Sequence, residues 1–150
     1  MSRPSVATSR HAARASALRI LYTLEVGRSL REDVIRESTE AHGLDEEGIE
    51  FARALVLTVD DHRDWIDDRI ARHAAGYPPD RHTVVDKNIL RLAVAELGAP
   101  FSDATPAILV SEALALAKTY STPEAARFIH GVLGGILDSS QNERPLRSHA

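Results

Sequence analysis

The chain has 150 residues, of which 43% are hydrophobic and 27% charged, values typical of one globular domain with a sizeable core. Cysteine is absent, which excludes a disulfide framework, a thiolate metal site and a catalytic thiol. No apolar run reaches the length of a membrane span, and the N-terminus lacks the apolar segment of an export signal. The sequence therefore predicts a soluble cytoplasmic protein without a membrane partner.

Charge is distributed unevenly along the chain. Residues 1–24 contain four arginines and no acidic residue. Because the whole chain carries −4 and these arginines carry +4, the remaining residues carry −8. We predict a disordered N-terminal arm over residues 1–8 and a first helix from Ser9, as its N-cap, to about Val26. Its core positions are Ala13, Ala17, Ile20, Leu21 and Leu24.

Two arginines lie near the start of this predicted helix. Arg10 and Arg14 are one turn apart, at a helix end where the macrodipole disfavours cations by ~0.3–1 kcal/mol each. One interpretation is that both arginines are simply solvated. The other is a small anion-binding surface, to which His11 adds a possible donor and Tyr22 an aromatic ring.

Two further helices are predicted before residue 74. Ser29 and Glu32 have the spacing of a capping box, for a helix that ends near Gly43. Asp45 then begins a single long helix that reaches about His73. Its core positions are Ile49, Ala52, Val56, Val59, Ile66 and Ile70.

The middle of this long helix is rich in aspartate. Asp61, Asp64 and Asp68 share one helical face close to His62, so a metal site is one interpretation. A solvated face explains the same residues, and no second histidine lies one turn from His62. We expect neither a metal nor another cofactor.

Gly76, Pro78 and Pro79 form the clearest break in the chain. We predict two helical halves joined here and packed into a single all-helical domain over residues 9–138. No stretch alternates as a strand should. The predicted fold class is therefore all-α, a compact bundle of about six to seven helices.

The helix after this break is the most apolar. In residues 86–97 (DKNILRLAVAEL), Lys87, Asn88 and Arg91 share one narrow polar strip, and nearly all other positions are apolar. Such a helix belongs inside a bundle, with other helices on several sides. Glu96 falls on the apolar side, so its carboxylate must be paired or must cap another group.

Two threonine–proline pairs predict the starts of the last two helices. Thr105 with Pro106, and Thr122 with Pro123, each supply an N-cap and a first-turn proline. A flexible tail is predicted from Ser139. The inward positions are Leu109, Ala113, Leu116 and Tyr120 in one helix and Ala125, Ile129, Val132 and Ile136 in the other.

Phe128 lies off this last stripe. It shares another face of the helix with Glu124, Arg127, Gly131, Gly134 and Gly135. Each internal glycine costs a helix about 1 kcal/mol relative to alanine, which indicates that something approaches this face closely. The approaching group is either a neighbouring helix of the same fold or a bound base or partner segment.

Several of these segments together resemble the NusB antitermination proteins of bacteria. The segments are residues 86–97, residues 105–118 (TPAILVSEALALAK), residues 128–133 (FIHGVL) and the N-terminal RHAARASALRILY. The resemblance spans about residues 9–137 and implies two small helical bundles packed together. It also implies binding of boxA RNA in ribosomal RNA leaders, within the antitermination complex of RNA polymerase. The implied partner is NusE, a small-subunit ribosomal protein that also acts in transcription.

The resemblance also implies roles for individual residues. Asp86 matches an acidic position on the NusE-facing side. The residues that match RNA-contacting positions, or flank them, are Arg10, His11, Arg14, Tyr22, Glu124, Arg127, Phe128 and His130. The chain departs from the family pattern at His11 and Ala12, where arginines are common, and at Ser111. His130 also replaces the asparagine of the family's Phe-x-Asn-Gly motif.

The predicted function is thus a non-enzymatic RNA-binding transcription factor that acts with NusE. One alternative is a NusB-like RNA-binding module outside antitermination, since this fold also occurs attached to an RNA methyltransferase. Another is a purely structural helical interaction protein. A metal-dependent hydrolase on the aspartate-rich helix is a more distant alternative. A homodimer of the free protein is left open.

Overall fold

The computed structural model describes residues 6–74, 76 and 83–140, and this part of the chain forms seven helices and no strand. The helices are α1 (Val6–Val26), α2 (Arg31–Ala41), α3 (Glu46–Asp61), α4 (Arg63–His73), α5 (Val84–Leu97), α6 (Pro106–Tyr120) and α7 (Pro123–Ser140). The predicted all-α fold class is confirmed. None of these helices is long and apolar enough to cross a membrane.

The first helix begins earlier than predicted. α1 starts at Val6 instead of Ser9, and it ends at Val26 as expected. No glycine or proline lies between Val6 and Ser9, so nothing prevents an additional helical turn. Residues 1–5 of the predicted arm lie outside the described residues, as does the predicted tail beyond Ser140.

The start of α2 is also different from the prediction. Leu30 is the N-cap residue and makes no side-chain capping hydrogen bond, so the capping box of Ser29 and Glu32 is wrong. Glu32 is paired with Arg53 of α3, whose Nη1 donates to both carboxylate oxygens at 2.7 Å. This hydrogen bond lowers the pKa of the Glu32 carboxyl. The Glu32 side chain therefore bonds to a residue of another helix instead of to its own helix end. Capping rules consider only residues close in sequence, so they could not predict this pairing.

The predicted long helix is two helices. Asp45 caps α3 as expected, because its Oδ1 accepts a backbone N–H at 2.8 Å. The chain leaves helical geometry at His62 (φ −121°, ψ 22°), and α4 follows. Val59 and Ile66 are nevertheless both fully buried. Since the apolar period continues across the break, periodicity alone does not reveal it.

The chain divides into two compact units between Leu57 and Thr58, inside α3. The boundary predicted at Gly76, Pro78 and Pro79 is therefore wrong. The reason is that α4 packs against α5 and α7, so it belongs with the helices that follow it.

In the first unit, α1 packs against α2. The contact includes the buried hydroxyls of Ser16 and Ser38, which are 2.9 Å apart. Small side chains at this contact allow the two helices to approach closely. The predicted core residues Ala13, Ala17, Ile20 and Leu21 are buried, whereas Leu24 is partly exposed.

In the second unit, α5 packs against α4, α6 and α7, which confirms its predicted central position. Thr83 is its N-cap residue. Glu96 is 3% exposed, and its Oε2 accepts a hydrogen bond from the Ser102 hydroxyl at 2.7 Å. The expectation that this carboxylate must be paired is confirmed.

Two of the three residues in the polar strip of α5 are buried, and Lys87 is half-buried. Asn88 is 0% exposed and Arg91 7%. Arg91 donates to both carboxylate oxygens of Asp67 on α4, through Nε at 2.8 Å and Nη2 at 2.9 Å. Its Nη1 donates to Asn88 Oδ1 at 3.2 Å. This strip is therefore an internal polar network between α4 and α5.

The last two helices begin as predicted. The Thr105 hydroxyl accepts the Ile108 N–H at 3.3 Å, and the Thr122 hydroxyl accepts the Ala125 N–H at 3.0 Å. Tyr120 is 48% exposed, so its predicted inward position is wrong. The predicted core residues that are buried here are Leu109, Ala113, Leu116, Ala125, Ile129, Val132 and Ile136.

Candidate nucleic-acid interface

In the first unit, two arginines of α1 lie against one aromatic ring of α3. Arg10 Cζ is 4.0 Å and Arg14 Cζ 5.5 Å from the centroid of Phe51. Both distances are within the ~6 Å range of a cation–π interaction. Phe51 is 5% exposed and Arg14 6%, whereas Arg10 is half-buried. Arg10 is therefore the more accessible of the two guanidinium groups.

These positions correct two expectations about the arginines. Because α1 begins at Val6, Arg10 and Arg14 lie in its second and third turns, beyond the end where the macrodipole acts most strongly. The interpretation of both as solvated side chains is also wrong for Arg14. Its burial limits direct contact with RNA, and that role stays a prediction.

The two other predicted residues of α1 are both accessible. His11 is half-buried and Tyr22 is 42% exposed. Tyr22 follows Arg10 by three helical turns, about 18 Å along the axis. A single phosphate cannot contact both residues at that separation. Only an extended ligand, such as a strand of RNA, can use the whole set.

The second unit carries the remaining predicted RNA-binding residues on α7. Glu124, Arg127, Phe128 and Gly131 have the i, i+3, i+4, i+7 spacing of one helical face. Phe128 is half-buried, while Glu124, Arg127 and His130 are exposed. The geometry thus leaves part of the Phe128 ring accessible beside two charged side chains.

The glycines on this face of α7 were predicted to allow close approach either of a neighbouring helix or of a bound ligand. The structure shows that they differ from one another in this respect. A Cβ atom at Gly135 would lie 2.8 Å from Cδ2 of His73 on α4. At Gly131 or Gly134 it would meet nothing within 4 Å. Gly135 therefore allows α4 to approach, whereas Gly131 and Gly134 leave open space along α7.

We predict opposite effects of alanine at two of these glycines. Gly131→Ala should raise the free energy of unfolding by about 0.5–1 kcal/mol, because alanine has the higher helix propensity and the space is open. Gly135→Ala should lower it, since the His73 ring is held by a contact of its Nδ1 with the Arg69 carbonyl at 3.0 Å. Urea denaturation of both variants measures the difference. Equal stabilisation by both would contradict the close contact at Gly135.

Asp86, the predicted partner-binding residue, is 5% exposed. It is the third residue of α5 and not the first, and its N–H donates to the Thr83 hydroxyl at 3.1 Å. Its Oδ1 accepts a hydrogen bond from the Ser121 hydroxyl at 2.6 Å, in the connection between α6 and α7. Asp86 thus has an internal structural role, and its role toward a partner stays a prediction.

The three aspartates of the possible metal site, Asp61, Asp64 and Asp68, are all exposed. Asp68 is paired with Arg72 at 2.9 Å. Within the described ranges, no group of three or more His, Asp or Glu side chains is arranged to hold a metal ion.

Phe51 lies beside two of the predicted RNA-binding residues and was not identified from the sequence. Phe51 lies off the stripe of core positions read from the period of α3, and its arginine partners are on a different helix. No local spacing connects them. An aromatic residue just off a core stripe is the only sequence signal that could have identified it.

Comparison with known proteins gives consistent matches. The sequence model of the NusB family matches residues 11–138, from α1 into α7. The transcription antitermination protein NusB of Desulforamulus reducens is 34% identical over 139 residues, which cover 93% of this chain and 96% of that protein.

Two solved structures are similar over most of their length. T. maritima NusB has a TM-score of 0.78 at 28% identity, covering 97% of this chain and 96% of its own. A chain in the crystal structure of the antitermination factors NusB and NusE in complex with dsRNA has a TM-score of 0.76 at 30% identity. That match covers 88% of this chain and 98% of the other.

Proposed function

Because this chain belongs to the NusB family, we propose that it is a transcription antitermination factor that binds RNA together with NusE. The observation that carries the proposal is the similarity to one chain in the crystal structure of NusB and NusE with dsRNA, which extends over 88% of this chain. We propose boxA RNA of ribosomal RNA leaders as the ligand. In this proposal the protein is not an enzyme and acts in the cytoplasm, within the RNA polymerase antitermination complex.

The charge distribution supports a requirement for a partner. The α1 surface that contains Arg10 and Arg14 has few cations, so it should bind RNA weakly by itself. A bound NusE adds its own RNA contacts. Once one of the two proteins has bound the RNA, binding by the other is intramolecular, which raises the overall affinity. The acidic remainder, at −8, should repel nonspecific RNA and favour a basic ribosomal protein.

A titration of labelled boxA RNA tests this proposal. The affinity is measured with this protein alone, with NusE alone and with both, and a scrambled RNA of equal length is the control. We expect the mixture to bind boxA RNA at least about tenfold more tightly than either protein alone. Equal affinity for the scrambled RNA would favour an RNA-binding module without an antitermination role. Absence of binding even with NusE would favour a purely structural interaction protein.

Phe128 provides a prediction within this function. Phe128→Ala should lower RNA affinity by ~1–3 kcal/mol, the usual value for one stacked base. Because the ring is half-buried, the loss of stability should be below the ~3–5 kcal/mol of a fully buried phenylalanine. Binding and thermal unfolding are measured on the same preparation.

Leu133 is the matched control for Phe128, since it is on the same helix and 3% exposed. Leu133→Ala should destabilise the fold by ~2–5 kcal/mol without changing the affinity of the folded fraction. If Phe128→Ala behaves in the same way, Phe128 is a core residue and has no direct contact with RNA.

A further inference from the structure

Phe51 has no part in the function proposed above, although two of the predicted RNA-binding residues lie on its ring. The Arg10 guanidinium is 4.0 Å from the ring centroid, close enough for stacking, and Arg14 is 5.5 Å away. The ring is 5% exposed, so it is held by the first unit and does not itself offer a surface to RNA.

A guanidinium that lies over a ring keeps its N–H edge available. The five N–H donors of arginine lie in one plane, and a phosphate or a base edge is bound along that plane. The ring contact also restricts a long side chain that would otherwise lose rotamer freedom when RNA binds. Phe51 can thus prepare Arg10 for an anionic ligand without touching that ligand.

Arg14 adds a second reason for an anion at this position. Its guanidinium is buried near the same ring, so two positive charges lie close together within the first unit. A second positive charge near Arg10 favours an anionic ligand at this position.

We propose that Phe51 is a positioning residue for RNA binding, which holds the Arg10 guanidinium in the orientation that contacts the RNA backbone. This inference rests on the proposed function. It assigns a role to a buried residue of α3, and it assigns the direct contact to Arg10 and not to Arg14.

A double-mutant cycle on RNA affinity tests this role. Wild type, Arg10→Ala, Phe51→Leu and the double variant are each titrated with boxA RNA in the presence of NusE. Phe51→Leu keeps apolar volume and removes the ring, and we expect it to weaken binding by about three- to tenfold. In the Arg10→Ala background the same change should have no further effect, because Phe51 acts through Arg10.

Two other variants keep the test decisive if Phe51→Leu folds poorly. Arg10→Lys keeps the charge and removes the planar group, so it should weaken binding although Phe51 is intact. Phe51→Tyr keeps the ring and should bind RNA as wild type does. Leu55→Val, at a fully buried position one turn further along α3, is the control for general destabilisation and should leave affinity unchanged.

The outcomes separate the inference from the proposed function. Equal weakening by Phe51→Leu in both backgrounds, or wild-type affinity of Arg10→Lys, would overturn the positioning role alone. Wild-type affinity of Arg10→Ala would also overturn it, because Arg10 would then make no contact. Absence of RNA binding by the wild type with NusE would overturn the proposed function itself.

Discussion

Asp86→Lys is expected to lower the free energy of unfolding by about 3–5 kcal/mol, because it buries an unpaired charge at a position that is 5% exposed. The substitution also removes the acceptor of the Ser121 hydroxyl bond. A cation in the first turn of α5 is further disfavoured by the helix macrodipole. Chemical denaturation measures the loss, and Asp103→Lys, at an exposed position, should change the stability little.

Asp86→Asn separates this structural role from partner binding. The asparagine side-chain oxygen can still accept from Ser121, so most of the stability should be kept. Calorimetry with NusE then tests the carboxylate itself. Weaker binding by a stable Asp86→Asn variant would support the interface role that the family resemblance implies. Unchanged NusE affinity would restrict Asp86 to holding the connection between α6 and α7.

Asp67→Ala is expected to lower the free energy of unfolding by about 3 kcal/mol, at the lower end of the range for a broken buried ion pair. The Arg91 side chain is 8% exposed and would lose both of its charge-assisted bonds to Asp67. Asp67 itself is 41% exposed, and solvent at that end moderates the effect. Urea denaturation at neutral pH measures the change.

The neighbouring Asp68 provides a matched control. It pairs with Arg72 at 2.9 Å, and the two side chains are 58% and 59% exposed. Removing an exposed pair of this kind changes stability by only about 0–1 kcal/mol. If Asp67→Ala and Asp68→Ala have equal effects, Arg91 finds other partners or water when Asp67 is removed, and the α4–α5 network is not a major source of stability.

The first prediction changes a buried polar residue of α5, and the second removes the partner of another, Arg91. The sequence pattern of α5 was informative about these residues only in part. The apolar circumference of residues 86–97 correctly predicts a helix with neighbours on several sides, and the position of Glu96 correctly predicts a paired carboxylate. The same pattern cannot show whether a polar strip faces water or a partner. Asn88 and Arg91 have the spacing of a solvated strip, yet both are buried. Arg91 bonds to Asp67 of α4, and Asn88 bonds to Arg91.

The sequence by itself determined what depends on neighbours within one turn. Asp45, Thr105 and Thr122 were identifiable as caps because a cap bonds to an N–H three residues later. The core stripe of α7 was identifiable because burial follows the helical period. The expected partners, RNA and NusE, came from the family resemblance, which rests on several segments that occur in the same order as in the family.

Only the tertiary structure decided the features that depend on residues far apart in the chain. The break at His62 leaves the apolar period intact, so it is visible only in the backbone. Glu32 bonds to Arg53 instead of capping α2, and Arg14 is buried near Phe51 instead of facing solvent. A charged side chain takes the partner that compensates its loss of water, and that partner can be on any helix that packs against its own.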